Sequence, residues 1–365
     1  MVKSNSLSAM GLLQSTGKLI HKLTFEPTYK CGLRCKMCFF WGEHSAMSTL
    51  ASLRGQEELQ FAEIRDVLLP QCLDCSVGTI ALAGGEPLLR QDAIDMLELF
   101  RREGVSTMVE SSLALELNDR QLCRLGEYCN YLWTSIDGIE ATHDAIRGRR
   151  NAYSQTIGNL RRVLQRTEAE RPRVLVNLLL QRENISDVVQ VARMLMHIGV
   201  DALRVQLMSW TDSVSAILST GTKQPHVATL PPRPEMIASA YALEQLMRAQ
   251  QIVVVAGKRF YSFPPINAMS CELLDQWYDG AYQGKHFGGC GRLERPRIDP
   301  YGNVHVCVNG GPLLGNIRET HLRDIWQSWD IAQFANELVR HRPRECHTCC
   351  KQRWANPSNG VELYG

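Results

Sequence analysis

Short apolar runs alternate with amphipathic stretches along most of the chain. Six runs predict β-strands, and they are Lys22–Phe25, Gly78–Ala83, Ser106–Val109, Tyr131–Ile136, Val174–Leu180 and Ala202–Met208, with Ile252–Val255 as a candidate seventh. Between them, apolar residues recur at three- and four-residue steps, which predicts helices such as Gln91–Arg102, Ala152–Arg166 and Asn184–His197. Repeated strand–helix units favour a parallel sheet with right-handed crossovers. The pattern therefore predicts an α/β fold, a partial (β/α)6 TIM-type barrel with its chemistry at the carboxyl ends of the strands.

Three cysteines follow the first predicted strand, in the run Cys31-Gly32-Leu33-Arg34-Cys35-Lys36-Met37-Cys38. Proteins that only store or pass electrons usually hold a cubane iron–sulfur cluster with four thiolates, so three local ligands would leave one iron open. Two other interpretations compete with this one. Cysteines at i, i+4 and i+7 could line the buried face of a helix. They could also belong to a zinc site, although such sites prefer two-residue spacing and a fourth local ligand.

Composition limits the classes of protein that need considering. The chain has 365 residues, 44% of them hydrophobic, which suits one large domain and a smaller one. The net charge of +2 is too small to predict a nucleic-acid partner. The sequence contains no apolar stretch of about 18 residues, so no membrane span is expected. Residues 1–21 lack a secretory core and are expected to be an N-terminal extension. Without an export signal, the 13 cysteines favour metal ligands and buried thiols in a cytoplasmic protein over disulfides.

A glycine turn and a polar segment follow the second and fourth predicted strands. The turn reads Ala83-Gly84-Gly85-Glu86-Pro87-Leu88, and paired glycines allow a backbone to approach a ligand closely. The polar segment reads Thr134-Ser135-Ile136-Asp137-Gly138, followed by His143-Asp144 and Ile146-Arg147-Gly148. Together with the cysteine triplet, these motifs resemble those of radical S-adenosylmethionine (SAM) enzymes, in particular their SPASM/twitch branch.

The resemblance implies a [4Fe-4S] cluster on Cys31, Cys35 and Cys38, with SAM chelating the open iron. It also implies SAM contacts from Met37, Gly84, Gly85, Glu86, Ser135, Arg147 and Asn177. Arg149 and Arg150 are alternatives to Arg147 as the residue that faces the SAM carboxylate. For Asn177, the alternative to a SAM contact is a structural role in capping the core. Two positions depart from the family pattern. Met37 stands where an aromatic residue often precedes the third cysteine, and the turn after the third strand reads Glu110-Ser111-Ser112 instead of Thr-Asn-Gly.

The C-terminal part contains a second set of cysteines. Cys290 and Cys307 flank a predicted β-hairpin, and Cys346 and Cys349 form a Cys-x-x-Cys pair, with Cys350 as the alternative to Cys349. Four thiolates are enough to hold a closed cluster, and a zinc ribbon is the competing interpretation. The segments Leu314-Gly315-Asn316-Ile317 and Leu322-Arg323-Asp324-Ile325-Trp326 resemble the same branch in its shorter twitch form, which implies one auxiliary [4Fe-4S] cluster.

These features predict the domain boundaries of the chain and the roles of the segments and cysteines not yet discussed. The barrel is expected over residues 22–257, a linker over 258–289 and the small domain, with its hairpin and helix, over 290–365. The stretch Trp210 to Pro234 is either a solvated loop or a lid over the barrel. Candidate wall positions of the substrate site are Trp210, Asp212, Arg259 and Tyr261. Structural thiols are expected at Cys72, Cys75, Cys123, Cys129 and Cys271.

The resemblance implies a SAM-dependent oxidoreductase. SAM would be cleaved to a 5′-deoxyadenosyl radical that abstracts hydrogen from a substrate carbon. A closed auxiliary cluster would then accept an electron, which favours dehydrogenation or radical coupling in natural-product biosynthesis. A peptide maturase that forms a crosslink or modifies a side chain is the alternative, and a non-catalytic metal-binding or electron-transfer protein is the alternative from another class. A flavodoxin- or ferredoxin-type protein is the expected reductant, and Lys30, Arg34 and Lys36 could help it dock.

Overall fold

A computed structural model describes residues 20–38, 40–41, 57–209, 237–307, 313–328, 334, 346–349, 352–356 and 360–362. Seven parallel strands form its central sheet, and they are β1 (Lys22–Thr28), β2 (Thr79–Gly84), β3 (Ser106–Glu110), β4 (Tyr131–Ser135), β5 (Arg173–Leu180), β6 (Ala202–Leu207) and β7 (Arg259–Phe263). They pair in chain order from β1 to β7, and the sheet does not close. The predicted partial α/β barrel is therefore confirmed.

Helices connect the strands and cover one face of the sheet. The first, α1, consists of Phe61–Glu63, the π-helical Ile64–Leu68 and Leu69–Asp74. The others are α2 (Ala93–Arg102), α3 (Asp119–Tyr128), α4 (Ala141–Arg147), α5 (Ala152–Leu164), α6 (Val188–Ile198), α7 (Ser239–Val255), α8 (Cys271–Asp279) and α9 (Leu322–Trp326). Along β5, fully buried residues alternate with half-buried ones. One face of this strand therefore packs into the hydrophobic core, and the other faces the hollow of the partial barrel.

The candidate seventh strand at Ile252–Val255 is wrong, because these residues form the last turn of α7. Ala242, Leu246, Ala249 and Val253 are all fully buried, so the helical period of apolar contacts continues through this β-branched run. The seventh strand is instead β7, which pairs with β6 from Ala202↔Arg259 to Gln206↔Phe263. The domain boundaries stay a prediction, but the segment 258–289, expected as a linker, contains β7 and α8.

The C-terminal part adds strands to the edge of the barrel sheet. Strand β9 (Arg297–Ile298) pairs with β1 in parallel, and β10 (Asn303–His305) and β11 (Leu313–Asn316) continue the sheet in antiparallel fashion. This confirms the predicted hairpin and its following helix, α9. A second sheet combines β8 (Phe287–Cys290), β12 (Gln352–Asn356) and β13 (Gly360–Glu362). No helix in the described ranges has the length and apolar character needed to cross a bilayer.

Candidate functional site

Cys31, Cys35 and Cys38 lie on an irregular loop that follows β1, with Cys31 three residues after the end of the strand. The loop is not helical, so the interpretation of these cysteines as a buried helix face is wrong. Cys35 is buried, whereas Cys31 and Cys38 are half-buried. Backbone amides support the loop, since Cys38 N donates to Cys35 O at 3.0 Å and Leu33 N donates to the Cys31 sulfur at 3.4 Å. Burial raises the pKa of the Cys31 thiol to about 11, and the nearby Glu86 adds to this effect.

The glycine turn after β2 packs directly against the chain that leads into this loop. Gly85 N donates to Thr28 O at 3.0 Å, and Glu86 N donates to Lys30 O at 2.8 Å. A Cβ atom on Gly85 would lie 2.3 Å from Lys30 O and 2.5 Å from Tyr29 O. Gly84 has a φ of +109°, which favours glycine, and a Cβ there would lie 2.9 Å from Thr28 O. The paired glycines thus allow two backbone segments to meet, and this contact fixes where the cysteine loop begins.

Glu86 is buried at the same turn, with only 3% of its surface exposed. One carboxylate oxygen accepts hydrogen bonds from Ser112 N at 2.9 Å and Ser112 Oγ at 2.6 Å, and the other accepts from Leu88 N at 3.3 Å. Burial raises the pKa of Glu86, although these donors oppose the shift. The side chain connects the turns after β2 and β3, so the unusual Glu110-Ser111-Ser112 segment provides its partners. Sequence reasoning missed this role of Ser112.

Arg147 lies at the end of α4 and reaches the cysteine loop from the other side. Its guanidinium is 2.6 Å from the buried carboxylate of Asp137 and donates to the Cys35 sulfur at 3.8 Å. Burial lowers the pKa of Arg147, but Asp137 and Cys35 outweigh this effect, so the net shift is upward and the group stays charged. The competing Arg149 donates instead to the carbonyl of Ala114 at 2.5 Å.

Backbone contacts hold α4 against the cysteine loop. Arg34 N donates to Arg147 O at 3.1 Å, and Lys36 N donates to Ile146 O at 3.0 Å. Gly148 ends the helix with a φ of +66°, and a Cβ on it would lie 2.1 Å from Arg34 O. The glycine of the Ile-Arg-Gly motif is therefore required both by the helix end and by this close approach.

Ser135 and Asn177 are neighbours near the carboxyl ends of β4 and β5, where they are paired in register. Both are half-buried and belong to the strand faces that point into the barrel hollow. The Asn177 Oδ1 atom is buried and has no hydrogen-bond partner among the described residues. A buried amide oxygen without a donor is unfavourable, so this atom fits a site that receives hydrogen bonds from a bound molecule. Simple core capping does not explain it.

The cysteine loop also carries Met37 and three basic side chains close to the cysteines. Met37 is half-buried and packs beside Cys35, whereas Lys30, Arg34 and Lys36 are exposed. Lys36 is 3.4 Å from Glu183, and the Arg34 guanidinium lies 4.3 Å from the centre of the Trp41 ring. This surface next to the cysteines therefore carries positive charge.

The second set of cysteines is divided among separate elements. Cys290 ends β8 and pairs with Gln352, the first residue of β12, which follows Cys346 and Cys349 closely in sequence. Cys307 comes two residues after β10. All four are half-buried. The strand pairing thus brings the Cys-x-x-Cys region and Cys290 to one end of the small sheet, while Cys350 lies outside the described residues.

The positions of the possible metal-ligating side chains can be compared with those that a zinc site requires. Ligands of a single zinc ion converge on it at about 2.3 Å for sulfur. In the described parts of the chain, no three His, Cys, Asp or Glu side chains converge closely enough to hold one metal ion, and this applies to both sets of cysteines. Thiolates bind zinc as well as iron, so the spacing of three cysteines in one loop, and not the distances, favours an iron–sulfur cluster.

The remaining predicted positions divide into three groups. Arg259 and Tyr261 line a cavity of about 630 Å³ at the amino ends of β4 to β7. Trp210, Asp212 and the whole candidate lid, Trp210 to Pro234, lie outside the described residues. Cys72, Cys75 and Cys129 are buried as expected, but Cys123 and Cys271 are exposed on helices, so a packing role for these two is wrong.

Comparisons with known proteins agree with this geometry. A family model described as the radical SAM superfamily matches residues 25–195, and the SPASM model, described as an iron–sulfur cluster-binding domain, matches residues 290–350. The chain is 26% identical to the pre-heme d1 synthase of Dinoroseobacter shibae over 349 residues, covering 89% of this chain and 78% of the relative. It is also 26% identical to the PqqA peptide cyclase of Xanthomonas euvesicatoria over 342 residues, covering 90% and 79%.

Solved structures with the same fold have lower sequence identity. SuiB of Streptococcus suis bound to S-adenosylmethionine superposes with a TM-score of 0.59 at 14% identity, covering 93% of this chain and 75% of SuiB. Native anSMEcpe with bound AdoMet gives the same TM-score and identity, covering 94% of this chain and 92% of that one.

Proposed function

Since the chain belongs to the radical SAM superfamily and carries a C-terminal SPASM iron–sulfur domain, we propose that it abstracts hydrogen from a substrate bound in the barrel hollow and oxidises it. The proposal rests chiefly on the convergence of the cysteine loop, the glycine turn and Arg147 at the carboxyl ends of the barrel strands. That edge is where barrel enzymes of this architecture carry their chemistry.

Cys31, Cys35 and Cys38 would hold the SAM cluster. A reduced cluster with bound SAM supplies a 5′-deoxyadenosyl radical, and the protein provides orientation and excludes water. The charged Arg147 beside Cys35 lowers the cost of anionic sulfur in a buried loop. Asn177 Oδ1 and Ser135 would bind polar groups of SAM from the barrel hollow.

The glycine turn and Glu86 would act as positioning elements. Gly84 and Gly85 fix the start of the cysteine loop, and Glu86 ties their turn to Ser112. Met37 packs beside the cysteines on the same loop. The exposed cations Lys30, Arg34 and Lys36 would attract an acidic flavodoxin- or ferredoxin-type reductant.

Cys290, Cys307, Cys346 and Cys349 would hold an auxiliary cluster. Four thiolates leave no iron open, which suits a group that accepts an electron from the substrate and does not bind it. Net oxidation, by dehydrogenation or by radical coupling, is the outcome that such a group favours.

A peptide is the substrate class that one observation favours. Three relatives named PqqA peptide cyclase each cover 90% of this chain and 79% of their own length, so the likeness extends over both cysteine sets. A peptide maturase that forms a crosslink would use the same hydrogen abstraction and the same loss of an electron.

Anaerobic reconstitution tests the proposal. Iron and zinc are counted on the wild type and on a variant with Cys31, Cys35 and Cys38 replaced by alanine, and 5′-deoxyadenosine formed from SAM with dithionite is measured. We expect about eight irons to fall to about four in the variant, with loss of 5′-deoxyadenosine. A fully loaded wild type that yields no 5′-deoxyadenosine, or zinc in place of iron throughout, would refute the proposal.

A further inference from the structure

The cavity at the amino ends of β4 to β7 contains an arginine without a counterion. Arg204 lies on β6 and is only 8% exposed, yet it borders this cavity of about 630 Å³. Among the described residues, no carboxylate lies within 4.0 Å of its guanidinium, and no protein acceptor receives a hydrogen bond from it. The guanidinium lies 5.8 Å from the centre of the Trp133 ring. The Arg204 nitrogens are not among the fully buried polar atoms that lack a partner, so the charged group is open to the cavity and can receive an anion there.

The other charges of the cavity do not supply that anion. Asp201 is 2.6 Å from Arg171 and 3.9 Å from Lys258. Glu168, 83% exposed, is 3.9 Å from Arg171. Both carboxylates of the cavity lining are therefore closest to basic residues other than Arg204. Arg173 and Arg259 add further positive charge to the lining.

Strand register places Arg204 in the same row as the proposed SAM contacts. Arg204 pairs with Asn177 on β5 and with Tyr261 on β7, and Asn177 pairs with Ser135 on β4. Register partners in a parallel sheet share a face, so these four side chains belong to one row across the barrel hollow. A molecule that enters from the amino ends and meets Arg204 therefore also meets the row in which Ser135 and Asn177 stand.

We propose that this cavity binds a carboxylate of the substrate, with Arg204 as the anion-binding residue and the Trp133 ring as a flat wall beside it. A planar guanidinium matches a carboxylate in two-point geometry. The aromatic residues Tyr131 and Tyr261 complete a lining that suits an apolar body attached to the acid. The inference rests on the proposed function, because it places the substrate in the barrel hollow.

Ligand binding to the iron-loaded protein under anaerobic conditions tests this assignment without turnover. The probe is 4-fluorophenylacetate, followed by fluorine NMR, and its neutral isostere 4-fluorophenylacetamide is the control ligand. We expect the wild type to bind the acid about tenfold more tightly than the amide, as a charged hydrogen bond predicts. Arg204→Met should abolish this preference. Arg193→Met, which removes the same charge from an exposed position on α6, should leave it unchanged.

Equal binding of acid and amide by the wild type would overturn the assignment, as would a preference that survives in Arg204→Met. If Arg204→Met does not fold, Arg204→Lys keeps the charge but loses the planar fork, so it should retain a weaker preference. A protein that shows the preference yet forms no 5′-deoxyadenosine would refute the proposed function and leave the anion site standing. The reverse result would refute the anion site alone.

Competition then identifies the source of the carboxylate. Glutarate and the blocked peptide acetyl-Glu-Tyr-Glu-amide are compared as competitors of the bound probe. Stronger displacement by the peptide assigns the site to an acidic peptide, and stronger displacement by glutarate assigns it to a small-molecule acid. Failure of both to displace the probe would contradict a carboxylate-binding site.

Discussion

We expect Gly85→Ala to displace the cysteine loop, because the turn after β2 has no space for a side chain. The added Cβ atom would lie 2.3 Å from Lys30 O and 2.5 Å from Tyr29 O, whereas ordinary contact begins at 3.4 Å. The two backbones must therefore separate by about 1 Å, the difference between 3.4 and 2.3 Å. Two hydrogen bonds that join them, to Thr28 O and Lys30 O, would lengthen as a result.

The size of the effect follows from this geometry. Overpacking of a close contact costs about 1–3 kcal/mol of folding free energy. A misplacement of about 1 Å at a positioned reacting group lowers a rate by about 100-fold. We therefore expect 5′-deoxyadenosine formation to fall by roughly 10- to 100-fold. The auxiliary site lies elsewhere in the sequence, so about four of the irons should remain bound.

Gly158→Ala is the matched control. Gly158 lies within α5, and a Cβ on it would meet no atom within 4 Å. Alanine favours the helix over glycine by about 0.8–1 kcal/mol, so this variant should be neutral or slightly more stable. Both variants are compared by urea unfolding, iron content and the rate of 5′-deoxyadenosine formation. Wild-type iron content and rate in Gly85→Ala would show that the glycine turn does not position the cysteine loop.

Three other predictions test the surroundings of the loop and the second cysteine set. Arg147→Met should destabilise the protein by about 3–5 kcal/mol, because it leaves the Asp137 carboxylate buried without a counterion. Adding Asp137→Asn should restore part of that loss, as measured by urea unfolding in a double-mutant cycle. Additive losses of stability in the two single variants would refute the pairing. His143, whose pKa burial lowers to about 3, should make stability fall as pH drops below about 6.5, since only the unfolded state takes up the proton. The loss should be about 1.4 kcal/mol from about pH 7.5 to 5.5, and unfolding of His143→Asn should lack that slope. Cys349→Ala should remove the auxiliary irons and Cys350→Ala should not, as iron counting would show; the opposite pattern would reassign the ligand.

Local patterns made much of the fold predictable from the sequence. The six predicted strands all occur, because their short apolar runs also have the burial that a parallel sheet requires. The seventh strand could not be predicted in this way. Ile252–Val255 has strand propensity, but packing of α7 overrides it, and Val255 is left 80% exposed. The strand that does form, β7, is rich in aromatic residues, which favour a strand, but only its last two residues are buried and it lies within the segment expected as a linker.

The sequence also predicts some features of the candidate site but not others. The cysteine loop and the glycine turn are short-range motifs, so their joint occurrence after the first and second predicted strands indicated them. The role of Gly85 against Lys30 and that of Glu86 against Ser112 depend on contacts between distant segments. One local signal was available for Arg204, which is a charged residue in the middle of a strand that otherwise reads as buried.

The sheet also determines how the two cysteine sets are arranged relative to the barrel hollow. Strand β1 runs toward Cys31, and β9 is parallel to it, so the carboxyl ends of both point to the same edge. Strand β10 runs in the opposite direction, which carries the chain to Cys307 toward the amino edge. A buried ion pair between Glu26 and Arg297 crosses the β1–β9 junction.

Such a pair contributes little net stability, but it disfavours any register that would separate its charges. The junction therefore holds Cys31 and Cys307 toward opposite edges of one sheet. The cavity that contains Arg204 opens at the amino ends, on the edge toward which Cys307 is carried. Under the proposed function, a substrate held by Arg204 would reach from this edge toward the cysteine loop at the other edge.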